Sequence, residues 1–229
     1  MNGNTSYRRG VRDVMPILLG VIPFGLIAGI SSIDAGLDVS QAIGLSVVVF
    51  AGASQLAAIA LIGENAALAV IILTPLVINA RFLMYSASLA SHFSGLPVSR
   101  RIVASYLLTD QSYAFSIIRY RDETWDLRSR LSYYLGIATT LWIVWQLSTA
   151  AGAILGAGVP DPWSLDFAVP LVFLALLVPA IRDRADGIAA AVAGALVIIA
   201  AGLPYNLALP LAAVAGIAAG VGLERKARA

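Results

Sequence analysis

Long apolar stretches, separated by short polar ones, follow one another along almost the whole chain. Most of them reach about 20 residues, the length that an α-helix needs to cross the hydrocarbon core of a bilayer. The pattern therefore predicts an all-α integral membrane protein, a polytopic bundle of about eight transmembrane helices, with seven as the competing count. The predicted segments are 14–33, 40–63, 66–91, 101–118, 132–157, 165–181, 187–203 and 205–222.

The same pattern predicts the domain organisation. One transmembrane domain covers 14–222, between an N-terminal tail at 1–13 and a C-terminal tail at 223–229, both expected in the cytoplasm. Eight spans place most Arg and Lys residues on the side of the termini, as the positive-inside rule expects. The sixth segment is short, which keeps seven spans open. A single re-entrant segment fits the charges less well, unless a second segment also fails to cross.

Composition supports the membrane class and excludes several functions. Hydrophobic residues make up 59% of the chain and charged residues 12%, whereas an ordinary soluble domain has about 25% charged residues. The chain has no cysteine and one histidine, so no metal site and no cofactor are expected. Its net charge of +2 comes from basic residues beside apolar segments, which is typical of topology signals and argues against nucleic-acid binding.

Segment three contains a permanently charged side chain where hydrocarbon is expected. Arg81 follows Pro75 and Asn79 in an otherwise apolar run. A charge at bilayer depth costs roughly 2.5–3.5 kcal/mol on insertion scales, so such residues usually face a protein interior or a water-filled cavity. Pro75 lacks a backbone donor and predicts a break in this helix. Asn79 and Arg81 are therefore candidate substrate-binding residues.

Segment two carries a polar pair beside glycine, in Gly52-Ala-Ser54-Gln55. Small residues allow close helix packing, and Ser54 and Gln55 offer hydrogen bonds that lipid cannot satisfy. Two interpretations stay open, a substrate or ion site and simple helix packing. Gly52 is the predicted break in this segment. A further break is predicted at Pro23 in segment one.

Segment four holds Asp110, the only acidic residue well inside an apolar segment, followed by Gln111. If this segment is one continuous helix, Tyr106, Asp110 and Tyr113 share a face. Asp110 is the candidate partner of Arg81. A buried ion pair can be purely architectural, so a structural role and a role in binding or gating both stay open.

Together these motifs resemble a known family. They are Ile22-Pro-Phe-Gly25, Gly52-Ala-Ser-Gln55, Ile78 to Ser86 and Leu108 to Ala114. The ordered set is similar to the AzlC-type large subunit of branched-chain amino acid exporters, and the similarity covers about 16–115. The resemblance implies a bacterial inner-membrane exporter of valine, leucine and isoleucine, in some members methionine, that works with a small AzlD-type membrane subunit. A homo-oligomer of that complex stays open.

The chain departs from this family at two titratable positions. Phe82 stands where relatives often carry His, and Gln111 where they often carry Glu. Asp110 is therefore the remaining candidate for coupling transport to protons.

The residues and the resemblance converge on a zwitterionic amino acid as the substrate. Its carboxylate needs donors and its ammonium group needs acceptors, near helices that are broken at mid-membrane. The candidate substrate-binding residues are Ser54, Gln55, Asn79, Arg81, Asp110 and Gln111.

Two other classes remain as alternatives. One is a passive channel or a structural membrane subunit. The other is an intramembrane serine hydrolase with Ser54 as nucleophile and the single histidine, His92, as base. Three small-xxx-small spacings, Gly25 with Gly29, Gly152 with Gly156 and Gly216 with Gly220, predict close helix packing.

Overall fold

The computed structural model describes residues 3–121, 125–158, 181, 184–200 and 208–228, and the regular structure in these ranges is helical. This confirms the predicted all-α class of a polytopic membrane protein. The chain divides into two compact units, Met1–Val172 and Phe173–Ala229. The helices are α1 (Gly3–Asp34), α2 (Val39–Val48), α3 (Gly52–Gly63), α4 (Leu68–Ile78), α5 (Arg81–Phe93), α6 (Val98–Tyr106), α7 (Asp110–Arg119), α8 (Leu127–Ala157), α9 (Arg184–Ile199) and α10 (Ala208–Arg228).

Two long parallel helices, α1 and α8, form the frame of the first unit. Gly3 lies beside Arg128 near the start of both helices, and Gly156 lies beside Ile30 near their ends. We call the end where α1 and α8 begin the N-face, and the other end the opposite face. α1 starts at Gly3, so most of the segment predicted as a tail belongs to this helix.

Glycines let the two long helices touch backbone to backbone. Gly29 of α1 lies against the backbone of Thr149, and Gly152 of α8 lies against the backbone of Leu26. Gly25 lies against Ser148 in the same interface. The packing role predicted for these small-residue spacings is confirmed.

The break predicted at Pro23 is wrong. α1 continues as one helix through both Pro16 and Pro23. A proline in a helix removes one hydrogen bond, and tertiary contacts can hold the helix across that loss. Here the contacts of Gly25 and Gly29 with α8 lie directly after Pro23 and fix the path of α1.

Segment two does not cross the unit but doubles back as a hairpin of α2 and α3. α2 begins just after α1 ends, where the Asp38 side chain caps its first turn. The hydroxyl of Ser40 and the backbone N–H of Gln41 hold the pKa of Asp38 below its usual value. The tip at 49–51 lies at mid-height, because Gly52 contacts Phe24 and Trp145. α3 then returns to the opposite face, where Gly63 lies beside Ala35 at the end of α1.

Segment four forms a second hairpin, from the N-face. Ser99 and Val103 of α6 lie beside Leu131 and Leu135, close to the start of α8. Deeper in, the indole N–H of Trp142 donates to the hydroxyl of Tyr106 at 2.9 Å. α7 leads back to the N-face, where the Tyr120 hydroxyl donates to the carbonyl of Arg130 at 2.7 Å. The continuous helix predicted for this segment is therefore wrong, because 107–109 interrupt it.

Segment three crosses the unit, with a break at Asn79 and Ala80 between α4 and α5. α4 starts next to the opposite face, after Gly63 has reached the end of α1. α5 ends at the N-face, where the Phe93 ring packs edge-on against Tyr134 at 5.5 Å between centroids. Pro75 itself lies inside α4, and the helix ends one turn later, at Ile78.

Three helical stretches of the described residues are long and apolar enough to cross a membrane: Gly3–Asp34, Leu68–Phe93 and Leu127–Ala157. The hairpin limbs α2, α3, α6 and α7 have 9 to 12 residues, about half of the 20 that a span needs. The predicted crossings of segments two and four are thus revised to hairpins that enter from opposite faces. Segment six lies outside the described residues, so the span count of the whole chain stays a prediction.

The hairpins gather the positive charge on one face. Among the described arginines of the first unit, only Arg81 lies at mid-height. The acidic residues Asp34, Asp38 and Glu64 lie at the opposite face. From the sequence, the arginines could lie on one face with fewer than eight spans only if two segments failed to cross. The α2–α3 and α6–α7 hairpins are these two segments. The arginines of the N-face are Arg8, Arg9, Arg12, Arg100, Arg101, Arg119, Arg121, Arg128 and Arg130.

Labelling of introduced cysteines tests the hairpins, because the natural chain has no cysteine. Asn4→Cys and Ser94→Cys are expected to react with a membrane-impermeant maleimide from one side, and Ala67→Cys from the other. These three positions are exposed. Eight crossing segments would instead place Ala67 with Asn4, and Ser94 on the other side. That result would contradict the hairpins.

The second unit contains α9 and α10, which pack as an antiparallel pair. Gly216 lies against the carbonyl of Ala189 and the side chain of Ala193, and Gly220 lies against Ala189. The packing predicted for this third glycine spacing is confirmed. Whether the two units form the single transmembrane domain predicted for 14–222 stays a prediction.

Candidate substrate-binding site

The breaks of segments two, three and four meet around one cavity of about 160 Å³. A water molecule takes about 30 Å³ in the liquid, so this space suits the charged head of a small molecule. Aromatic rings from α1, the first tip and α8 close the cavity. Its lining comprises Val21, Phe24, Phe50, Ala51, Gly52, Ala53, Arg81, Phe82, Thr109, Asp110, Gln111, Leu141 and Trp145.

An ion pair occupies this cavity. Nη2 of Arg81 lies 2.9 Å from Oδ2 of Asp110, and the two side chains are 33% and 41% exposed. Nε of Arg81 and Oδ1 of Asp110 are buried and have no hydrogen-bond partner among the described residues. The pair is neutral as a whole, yet each partner keeps an unused donor or acceptor. The contact between Arg81 and Asp110 links the crossing segment to the tip of the second hairpin.

Three helices begin at the cavity, namely α3 at Gly52, α5 at Arg81 and α7 at Asp110. The first N–H groups of a helix lack partners within it and make its N-terminus partly positive. Neither α3 nor α5 has a side-chain cap. In contrast, Thr109 and Ser112 cap α7 reciprocally. Among the described residues no side chain caps the start of α3, so its first N–H groups favour an anionic group there.

Local sequence explains why α7 begins at Asp110. Thr109 adopts an extended backbone, and its hydroxyl accepts from the N–H of Ser112 at 3.1 Å. The Ser112 hydroxyl in turn accepts from the N–H of Thr109 at 2.8 Å. The cap places the Asp110 carboxyl in the first turn of α7, a position where the helix dipole favours a negative charge. This cap was not predicted from the sequence, although a hydroxyl residue three positions before another is its signal.

Ser54 and Gln55 lie behind the cavity and do not line it. Both are fully buried. The Ser54 hydroxyl donates to the carbonyl of Ala51 at 2.9 Å, and Oε1 of Gln55 accepts from Nε1 of Trp145 at 3.1 Å. The Gln55–Trp145 bond holds the start of α3 against α8, whereas the Ser54 bond is local to the start of α3. Their role in substrate or ion binding stays a prediction, and Nε2 of Gln55 is buried without a hydrogen-bond partner among the described residues.

Asn79 and Gln111, the other two candidates, line different cavities. Gln111 lines the same cavity as Arg81 and Asp110. Asn79 ends α4 and lines a neighbouring cavity, and its Oδ1 is buried without a hydrogen-bond partner among the described residues. The structure thus brings Arg81, Asp110 and Gln111 together and places Asn79 next to them.

The nucleophile and base of a serine hydrolase are not brought together. Ser54 lies at mid-height, whereas His92 lies at the N-face, where its Nδ1 is 3.5 Å from a guanidinium nitrogen of Arg130. The ring of His92 contacts Tyr120. The described geometry therefore gives Ser54 no histidine base.

Comparison with known proteins identifies the family. The inner membrane protein YgaZ of Escherichia coli (strain K12) is 26% identical over 227 residues, which cover 95% of this chain and 89% of YgaZ. An uncharacterised membrane protein of Archaeoglobus fulgidus is 28% identical over 204 residues, 87% of this chain and 86% of that protein. No solved structure matches the chain. The family model described as AzlC protein matches residues 16–159, and the chain therefore belongs to the AzlC family of membrane proteins.

Proposed function

We propose that this protein is the large subunit of a secondary transporter that exports valine, leucine, isoleucine and methionine across the bacterial inner membrane. The observation that carries the proposal is the partly exposed Arg81–Asp110 pair in a cavity where three broken segments meet. Charged residues at bilayer depth that face a cavity mark substrate pathways. Family membership and the inner-membrane relative support the same class and location.

The ion pair matches the two charges of an amino acid. The substrate carboxylate would bind Arg81 and the first N–H groups of α3, and the substrate ammonium would bind Asp110. Each charged partner then exchanges one opposite charge for another, so binding leaves no charge unpaired in the membrane. Gln111 offers a further donor and acceptor at the same cavity.

Separation of the pair would also change how the helices are connected. Arg81 begins α5 of the crossing segment, and Asp110 begins α7 of the second hairpin. Substrate bound between them replaces this direct bond and frees the hairpin tip to move. Because the two hairpins reach the site from opposite faces, movement of one tip at a time would give alternating access. Asp110 is the group we propose for the coupling proton, because its protonation would release Arg81.

Charge orients the transporter in the membrane. Cytoplasmic loops carry an excess of Arg and Lys, and nine arginines of the first unit lie at the N-face. The N-face is therefore proposed to be cytoplasmic, with the α6–α7 hairpin on the cytoplasmic side and the α2–α3 hairpin on the periplasmic side. The C-terminus is proposed to be cytoplasmic as well.

A small AzlD-type membrane subunit is the proposed partner, as the family resemblance implies. Among the described residues, only 6% of the apolar part of Leu68–Phe93 is buried, against 39% for Gly3–Asp34 and 44% for Leu127–Ala157. The proposed partner helix would pack beside this exposed crossing segment. We also propose a homo-oligomer of the two-subunit complex, which a measurement of the molecular mass of the purified complex would test.

Counterflow in proteoliposomes tests the proposed function. Vesicles that contain this chain and its small partner, loaded with unlabelled leucine, are expected to accumulate labelled leucine transiently and saturably. Valine, isoleucine and methionine are expected to compete, whereas lysine and glutamate should not. A linear flux without saturation or counterflow would show a channel and contradict the proposal.

A further inference from the structure

A second cavity of about 460 Å³ adjoins the charged one. Phe50 and Phe82 line both cavities and therefore form the boundary between them. The second cavity lies among α2, α4 and α6, close to all three breaks. Its lining comprises Leu45, Val48, Val49, Phe50, Ala58, Ile71, Ile72, Pro75, Leu76, Asn79, Phe82, Ser105, Tyr106 and Leu108.

We propose that this second cavity receives the apolar side chain of the substrate, and that Phe50 and Phe82 determine which side chains can enter. The inference rests on the proposed function, since it assumes an amino acid whose charged head lies at Arg81 and Asp110. The substrate then spans the boundary, with its head on one side of the two phenylalanine rings and its side chain on the other. Phe82 becomes a specificity-determining residue.

The chemistry of the lining favours apolar side chains. Most of its residues are aliphatic or aromatic. The Tyr106 hydroxyl is already engaged, because it donates to the carbonyl of Val47 at 2.8 Å and accepts from Trp142 at 2.9 Å. A polar side chain placed here would lose its hydrogen bonds to water and find few replacements, which costs free energy. Each buried methylene of an apolar side chain instead contributes about 0.8 kcal/mol.

Besides Tyr106, two polar residues line the cavity, Ser105 and Asn79. Asn79 lies one helical turn before Phe82 along the chain, and its buried Oδ1 lacks a hydrogen-bond partner among the described residues. An acceptor at the boundary suits the ammonium group of a substrate whose side chain points away from the ion pair. Asn79 would thus bind the ammonium group of the substrate, and the remainder of the cavity would contact the apolar side chain.

The volume of the second cavity predicts that apolar side chains of different shapes can bind there. At about 460 Å³ it is larger than the charged cavity of about 160 Å³. Valine, leucine, isoleucine and methionine side chains should all fit. The boundary, and not the cavity, then limits the size of the substrate side chain. Phe82→Ala removes one ring from that boundary and is expected to admit phenylalanine as a competitor of leucine uptake.

Two tryptophan variants on α4 provide a matched test. Ile72 lines the cavity and is 52% exposed, whereas its neighbour Leu73 does not line it and is 58% exposed. In proteoliposomes of the two-subunit complex, Ile72→Trp is expected to raise the half-saturating leucine concentration roughly tenfold, the usual effect of a changed hydrophobic pocket. Leu73→Trp should leave it within about twofold. Alanine competes through its head group, so its inhibition constant against leucine uptake should stay unchanged in both variants.

The outcomes separate this inference from the proposed function. If the wild type transports leucine but Ile72→Trp and Leu73→Trp behave alike, and Phe82→Ala leaves the competition profile unchanged, the side-chain site is overturned and the transport function stands. If the wild type shows no saturable amino-acid flux, the proposed function fails first and the side-chain site fails with it. A leucine-specific loss in Ile72→Trp together with phenylalanine competition in Phe82→Ala supports the inference.

Discussion

Removal of either charge of the Arg81–Asp110 pair is expected to lower leucine transport by about 10- to 100-fold. Hydrogen bonds to charged groups are worth about 1.5–3 kcal/mol each. Arg81→Ala removes the donor for the substrate carboxylate, and Asp110→Asn removes the acceptor for its ammonium group. Each variant also leaves the other charge without its 2.9 Å partner. The initial rate of labelled leucine uptake into proteoliposomes measures the effect.

Two substitutions of exposed charged residues outside the site serve as controls. Arg121→Ala removes an exposed arginine at the N-face, and Asp38→Asn keeps a good helix cap at the opposite face. Both should transport leucine at close to the rate of the wild type. The exchange Arg81→Asp with Asp110→Arg separates architecture from function, since it keeps an ion pair but reverses both charges. If the exchanged protein transports normally, the pair is architectural and the proposed site is wrong.

Bulky side chains between α1 and α8 are expected to destabilise the first unit strongly. Gly29 and Gly152 lie directly against the backbone of the facing helix, where even one added carbon atom has no room. Overpacking typically costs about 1–3 kcal/mol, and the upper end of about 3 kcal/mol is expected where the backbone must move. At about 2–4 °C per kcal/mol, Gly29→Leu and Gly152→Leu should therefore lower the unfolding temperature in detergent by roughly 6–12 °C.

The matched control is Gly44→Leu on α2. Among the described residues, no atom outside its own stretch of helix lies within 4 Å of the position that its side chain would first occupy, and leucine is a better helix former than glycine. This variant is expected to unfold at or above the temperature of the wild type. Equal unfolding temperatures for all three leucine variants would show that α1 and α8 do not pack through their glycines.

Much of the fold could be predicted from hydropathy, but the direction of the chain could not. Segment 40–63 has 24 residues, the length of a spanning helix, and the structure divides it into two half-length limbs that double back. A hydropathy pattern measures length and not direction, so the reversal is invisible to it. Only the glycine at 52 marked the first tip, and Thr109 marked the second through its cap.

The charged part of the site could be predicted because a charge inside hydrocarbon has few stable arrangements. Arg81 needed an opposite charge, and Asp110 was the acidic residue available inside an apolar segment. Buried polar residues gave a weaker indication, because packing and substrate contact require the same hydrogen bonds. Gln55 is such a case, and the structure pairs it with Trp145. Pro23 does not break α1, because contacts distant in sequence hold it as one continuous helix.

Competition by two analogues of leucine tests most directly whether Arg81 and Asp110 bind a zwitterion. One analogue, isoamylamine, lacks the carboxylate, and the other, 4-methylpentanoate, lacks the amino group. With the wild type both are expected to inhibit leucine uptake at least tenfold less effectively than leucine does. In Arg81→Ala the disadvantage of isoamylamine should largely disappear, and in Asp110→Asn that of 4-methylpentanoate, because a removed partner can no longer discriminate. If both analogues keep their full disadvantage in both variants, Arg81 and Asp110 do not bind the two charges of the substrate.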